Sequence, residues 1–130
     1  MNCLIVEDDP TGLALLERYL KPFGPTTLAV DGPGAVEAFR EAVVSGTPFQ
    51  FVCLDIMLPG MDGQLVLKEM RAIEKEHGLD AGKAARIVMT TALADKDNLL
   101  EAIPLCDAYL VKPIHMSDLM FYLQRFGLAR

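Results

Sequence analysis

Long apolar runs are missing from this 130-residue chain: none reaches the roughly 18 residues a membrane-spanning helix needs. The opening MNCLIVEDD has neither the basic start nor the long apolar middle of a signal peptide. A cytoplasmic protein with no membrane partner is therefore expected. Basic clusters are missing too, and with 12 Lys and Arg against 18 Asp and Glu the net charge is −6. That balance argues against nucleic acid, because affinity for a phosphate backbone comes largely from neutralising cations. Cysteine is scarce. Cys3, Cys53 and Cys106 are odd in number, unclustered, and each lies in or beside an apolar run, so they read as small buried hydrophobes rather than a disulfide framework or zinc site. No repeat, low-complexity tract or linker interrupts the chain. Its length suits one compact unit spanning 1–130, and 52% apolar residues supply the core.

What is present is a regular alternation. CLIVE (3–7), TTLAV (26–30), FQFVCLD (49–55), RIVMTT (86–91) and AYLVK (108–112) read as strands. The first, third and fourth are continuously apolar, the signature of strands buried on both faces of a parallel sheet. Between them run amphipathic stretches. Asp9 and Pro10 open a first helix carrying Leu13, Leu16, Tyr19 and Leu20 at helical spacing, and Ala35, Val36, Phe39, Ala42 and Val43 mark a second, closed by Gly46. Leu65, Leu67, Met70 and Ile73 mark a third, running towards His77 and Gly78; Asp95 to Ile103 forms a fourth. The fifth starts near Ser117, capped by Ser117 or His115, with Leu119, Met120, Leu123 and Phe126 on its apolar face. Five strand and helix pairs in alternation give an α/β sandwich with right-handed crossovers.

In such a sheet, ligands gather outside the carboxyl ends of the strands. The first strand ends in Glu7, Asp8 and Asp9, the third in Asp55, the fourth in Thr90 and Thr91, and the fifth in Lys112 and Pro113. Clustered carboxylates repel one another unless a cation joins them. Oxygen-only ligands in small number suit Mg²⁺, which keeps several waters and recruits phosphate oxygens. Lys112 then makes sense as a point charge awaiting an anion, with Thr91 as a donor to it. Asp55, alone on its strand and presented by the turn MLPGMDG, is the carboxylate nucleophile that accepts a phosphoryl group. Simpler roles exist: Asp9 caps the first helix, Thr at a strand end is ordinary β-propensity, and Thr90 competes with Thr91. The set, rather than any one residue, carries the inference.

These residues resemble a known family. LIVEDDP is similar to the first-strand acidic motif of bacterial response regulator receiver domains, LDIMLPGMDG to the phosphoacceptor segment, TTA to the switch-hydroxyl position, and YLVKP to the conserved-lysine segment. The resemblance implies a flavodoxin-like, doubly wound five-stranded parallel sheet in the order 2-1-3-4-5 with five helices. It implies that Asp55 takes the phosphoryl group from the phosphohistidine of a sensor histidine kinase or histidine phosphotransfer protein. Asp8 and Asp55 would hold Mg²⁺ directly, Glu7 through water, and Met57 through its main-chain carbonyl. Thr91 and Ala92 would bind phosphate with Lys112, and Tyr109 would be the aromatic switch. Output would pass to a downstream protein target through the face of the fourth helix, fifth strand and fifth helix, and the protein would be no enzyme beyond catalysing its own phosphorylation and slow dephosphorylation. Kinase docking is assigned to Leu13 and its neighbours with Pro113.

Some residues depart from the pattern. Glu7 stands where Asp is commoner. Met57 and Leu93, both apolar, occupy positions where polar side chains often orient an attacking water, which predicts slow self-dephosphorylation. Pro104 and Leu105 replace the usual end of the fourth helix, which should be short or displaced. Met57 also argues against an aspartyl-phosphate hydrolase, which needs an acid there, and the acidic first loop argues against a flavin phosphate. A phosphorylation-independent docking module of the same fold is the remaining alternative.

Overall fold

The computed structural model describes residues 1–95, 102 and 104–130. Five strands, β1 (Cys3–Val6), β2 (Thr26–Ala29), β3 (Phe51–Asp55), β4 (Arg86–Thr91) and β5 (Ala108–Val111), form one parallel sheet in the order β2-β1-β3-β4-β5. This is the flavodoxin-like order expected from the sequence. Among the described residues there are four α-helices: α1 (Pro10–Leu20), α2 (Gly32–Val44), α3 (Gly63–Glu76) and α4 (Met116–Arg125). The helix expected over Asp95 to Ile103 lies largely outside the described residues, as does the effect of Pro104 and Leu105 on it. The helix expected from Ser117 is α4, one residue longer at its start. His115 occupies its N-cap position, with no side-chain capping bond.

The hydrophobic alternation decides which face each helix covers. Leu4, Val6, Val52, Leu54, Ile87 and Met89 pack on one face of the sheet with Phe39 of α2 and Leu67, Met70 and Ile73 of α3. Their neighbours in sequence, Cys3, Ile5, Phe51, Cys53 and Val88, pack on the other with Leu16 and Leu20 of α1 and Leu119 and Leu123 of α4. Successive residues thus feed opposite cores, as the period-2 pleat requires. Because β1, β3 and most of β4 are buried on both faces, they carry no polar residue until their ends. Cys3 and Cys53 sit in this core as hydrophobes, and Cys106 is half-buried; none of the three is in a disulfide among the described residues.

Helix starts are pinned by carboxylates. Asp9 Oδ2 accepts from the Gly12 N–H at 3.0 Å, Asp31 Oδ1 from Gly34 at 2.7 Å, and Asp62 Oδ1 from Gln64 at 2.7 Å, each satisfying a donor the helix cannot. At the opposite end of the sheet from these caps, Arg71 ties α3 to the approach to β5. Its guanidinium donates to Glu74 at 2.8 Å, Asp107 at 3.0 Å and the carbonyls of Ala85 and Leu105, both at 2.9 Å. Glu74, although buried, is thereby paired, and it also accepts from the Ala85 N–H.

Candidate functional site

Four strands deliver polar residues to one rim. The strands stop one residue short of the sequence expectation at two decisive places, so Glu7 follows the end of β1 and Lys112 follows the end of β5. Asp55 is the last residue of β3, and the residue after it is held at both its main-chain groups: the Ile56 N–H donates to the Thr90 carbonyl at 3.0 Å, and the Ile56 carbonyl accepts from the Gly63 N–H at 2.9 Å. Gly63 is there because α3 starts against this backbone. A Cβ on it would fall on the Asp55 carbonyl oxygen and 2.6 Å from Ile56 Cα. The Met57 N–H donates to Asp55 Oδ1 at 3.0 Å and fixes the carboxylate's orientation.

Lys112 closes the site. Its Nζ donates to Glu7 Oε1 and Oε2, both at 3.0 Å, and to Asp55 Oδ2 at 2.9 Å. The sequence suggested an ammonium awaiting an anion, whereas the fold gives it two carboxylates to neutralise at rest. Glu7 and Asp55 are almost fully buried, at 1% and 4% exposure, while Asp8 is exposed beside them. One carboxylate oxygen from each of Glu7, Asp8 and Asp55 lies within 4.8 Å of the others. Burial pushes the Glu7 carboxyl up to about 7, and the neighbouring Asp55 adds to this against the pull of Lys112. Burial works against the Lys112 ammonium, yet its bonds to Asp55 and Glu7 outweigh that and raise its pKa.

The donor set fits a hard divalent cation. All three groups are carboxylates, no Cys or His is among them, and Asp8 leaves one side open to water. Thr91 is fully buried, its Oγ1 donating to the Ala92 carbonyl at 3.0 Å, and Lys112 N–H donates to the Thr91 carbonyl at 2.7 Å. Tyr109 is 39% exposed. Met57 and Leu93 stand exposed at the rim, at 50% and 72%. The Lys112–Pro113 peptide is cis.

Two features escaped the sequence reading. A groove beside Glu7 is lined by Thr11, Gly12, Leu15 and Leu16 of α1 and by Lys112, Pro113 and Ile114. The groove lies between α1 and Pro113, where docking by Leu13 and its neighbours is expected, and Leu13 itself is half-buried, packed in part against the core under α1. Thr90, weighed in the sequence only as a rival to Thr91, is buried at the same rim.

Comparison with known proteins agrees with this geometry. The sequence is 36% identical over 120 residues to the sensor histidine kinase GacS of Pseudomonas protegens, covering 89% of this chain and 12% of that protein. The fold superposes with a TM-score of 0.77 and 30% identity on the receiver domain of a sensor histidine kinase from Pseudomonas aeruginosa PAO1, covering 97% of each chain. That structure carries a magnesium ion in its active-site cleft. A TM-score of 0.82 at 28% identity, over 98% of this chain and 88% of the other, relates it to a co-crystal from Saccharomyces cerevisiae. The co-crystal joins the histidine phosphotransfer signalling protein Ypd1 to the receiver domain of its downstream response regulator Ssk1. Residues 3–124 match the family described as the response regulator receiver domain, and the chain belongs to that family.

Proposed function

We propose that this domain accepts a phosphoryl group on Asp55 from the phosphohistidine of a sensor histidine kinase or a histidine phosphotransfer protein. The supporting observation is the Lys112 ammonium bridging Asp55 and Glu7 in a three-carboxylate pocket. An Asp55 carboxylate oxygen forms the new O–P bond as the donor's N–P bond breaks. The electron pair goes to the imidazole nitrogen, which takes a proton from solvent. Asp8 and Asp55 would hold Mg²⁺ directly, Glu7 through water and Met57 through its carbonyl. When bound, the cation neutralises carboxylate and phosphoryl oxygens. Lys112 turns from Asp55 to a phosphoryl oxygen, and Thr91 leaves the Ala92 carbonyl to donate to another, next to the Ala92 main chain.

Phosphorylation adds about −1.5 to −2 charges, enough to bias a two-state surface. Tyr109, paired with Met89 of β4 and partly exposed at rest, follows Thr91 inward and changes the face around β5 and α4 for a downstream protein target. The domain is then a switch rather than an enzyme. It works in the cytoplasm, without nucleic acid or membrane contact; among the described residues no helix is long and apolar enough to cross a membrane.

The test is incubation with acetyl phosphate and Mg²⁺ followed by intact-mass measurement, alongside Asp55→Asn. A stoichiometric phosphoryl adduct on the wild type, absent from the variant and after chelation, is expected. An adduct that survives in Asp55→Asn moves the acceptor elsewhere, and no adduct on the wild type favours a docking module that works without phosphorylation.

A further inference from the structure

Thr90 Oγ1 is the single buried side-chain polar atom without a hydrogen-bond partner among the described residues, on a residue only 1% exposed. Buried hydroxyls are ordinarily bonded, so this one needs a reason. Register supplies it. Thr90 pairs with Asp55 on β3 and with Leu110 on β5. Directly paired residues of parallel strands share a face. Cys53 and Val88, two residues before Asp55 and Thr90, belong with Leu110 to the core under α1 and α4. Thr90 therefore stands on that face, level with Asp55. Lys112, two residues beyond Leu110, starts from the same face of β5 and reaches Asp55 on β3 and Glu7 after β1. In the order β1-β3-β4-β5, that reach crosses β4, and Thr90 is the residue of β4 on its path. Thr91, one residue on, belongs to the opposite face and has its hydroxyl engaged by Ala92.

We propose that Thr90 is a positioning residue for Lys112, its hydroxyl accepting an ammonium N–H once Asp55 carries the phosphoryl group. This rests on the assignment of Asp55 as acceptor. At rest the three N–H groups of Lys112 match three bonds, two to Glu7 and one to Asp55 Oδ2, which leaves none for Thr90. Phosphorylation converts one Asp55 oxygen to the bridging oxygen of a mixed anhydride, a poorer acceptor, and the bond to Asp55 is given up. As the ammonium turns to a phosphoryl oxygen it gives up one of its two bonds to Glu7 as well, and the hydroxyl beneath its stem takes the N–H so released. A hydroxyl unpaired before the reaction and paired after it favours the phosphorylated state, because only a difference between states shifts an equilibrium.

The experiment compares wild type, Thr90→Val, Thr90→Ala and Thr90→Ser for phosphorylation by acetyl phosphate with Mg²⁺, by intact mass, and for thermal midpoint. Thr90→Val keeps the shape and removes the hydroxyl. It should melt no lower than wild type, since the resting fold does not use that group, yet reach its phosphorylated state about tenfold less readily, the scale of one hydrogen bond to a charged group. Thr90→Ser should restore the wild-type level at a midpoint no higher than that of Thr90→Val. Should Val pack poorly, Thr90→Ala makes the same comparison. Wild-type phosphorylation in both Val and Ala variants overturns the proposal, as does a Ser variant no better than Val. A wild type that takes no phosphoryl group overturns the assignment of Asp55 itself, which is a separate failure.

Discussion

Lys112 Nζ lies 3.0 Å from both carboxylate oxygens of Glu7, although β5 and β1 are separated in the sheet by β4 and β3. The same nitrogen lies 2.9 Å from Asp55, so one cation serves two nearly buried acids. Such pairs are known less for the energy they add than for the cost of breaking them.

Lys112→Met leaves Glu7 and Asp55 facing each other without a counter-charge. Removing one partner of a buried pair costs roughly 3–5 kcal/mol, and the 32% exposure of the Lys112 side chain places this case below that range. A lower urea midpoint is expected, and Glu7→Gln in the Lys112→Met background should recover part of it. Equal losses in the single and double variants would show that Lys112 does not act through Glu7.

Gly63→Ala should damage stability and chemistry together. The new Cβ meets the backbone of Asp55 and Ile56, neither of which can yield as a flexible side-chain tip would. Overpacking of this kind costs about 1–3 kcal/mol. Urea unfolding reads the loss, and acetyl phosphate labelling should slow because the clash lies on the acceptor's own carbonyl. Wild-type behaviour in both assays would mean that α3 shifts freely away from β3.

The two buried thiols make a prediction about pH. Burial pushes Cys3 up from 9.0 to about 12, and burial raises Cys53 as well. A folded pKa above the unfolded one favours the protonated form in the fold. The stability it contributes is complete below pH 9.0 and is lost as pH climbs towards 12. Between those limits the urea midpoint of the wild type should fall more steeply than that of Cys3→Ala, which lacks the group. Parallel slopes would contradict it. Iodoacetamide at pH 8 should likewise reach half-buried Cys106 before Cys3 or Cys53.

The legible part of this site was its list of members; the illegible part was their pairing. Continuous apolar runs that break at Glu7, Asp55, Thr91 and Lys112 mark strand ends, because a strand buried on both faces tolerates polar residues only where it leaves the core. Which strands lie side by side is a property of the topology, so the reach of Lys112 to Glu7 had no local signal. The face chosen by Thr90 or Thr91 depends on register alone, and a shift of one residue exchanges them. Gly63 was hidden for a similar reason: the turn accounts for a glycine in MDG, while the approach of α3 to β3 appears only once the layers are packed.

The lifetime of the phosphoryl group tests the rim. Met57 and Leu93 flank the entrance to Asp55 with exposed apolar side chains, 50% and 72% exposed, and neither can accept a proton or align a water. Hydrolysis must then proceed with water that the protein does not orient, so the acyl phosphate should outlast a timescale of seconds. A positioned acid or base group typically contributes about 100-fold or more, and a neutral polar group that only orients water less. Met57→Asn should shorten the lifetime by up to about that factor while keeping the Met57 N–H bond to Asp55, which is a main-chain contact. Decay is followed by intact mass after removal of acetyl phosphate in Mg²⁺ buffer. A wild-type adduct gone within seconds, or an Asn variant that decays no faster, would separate the rim residues from the control of hydrolysis.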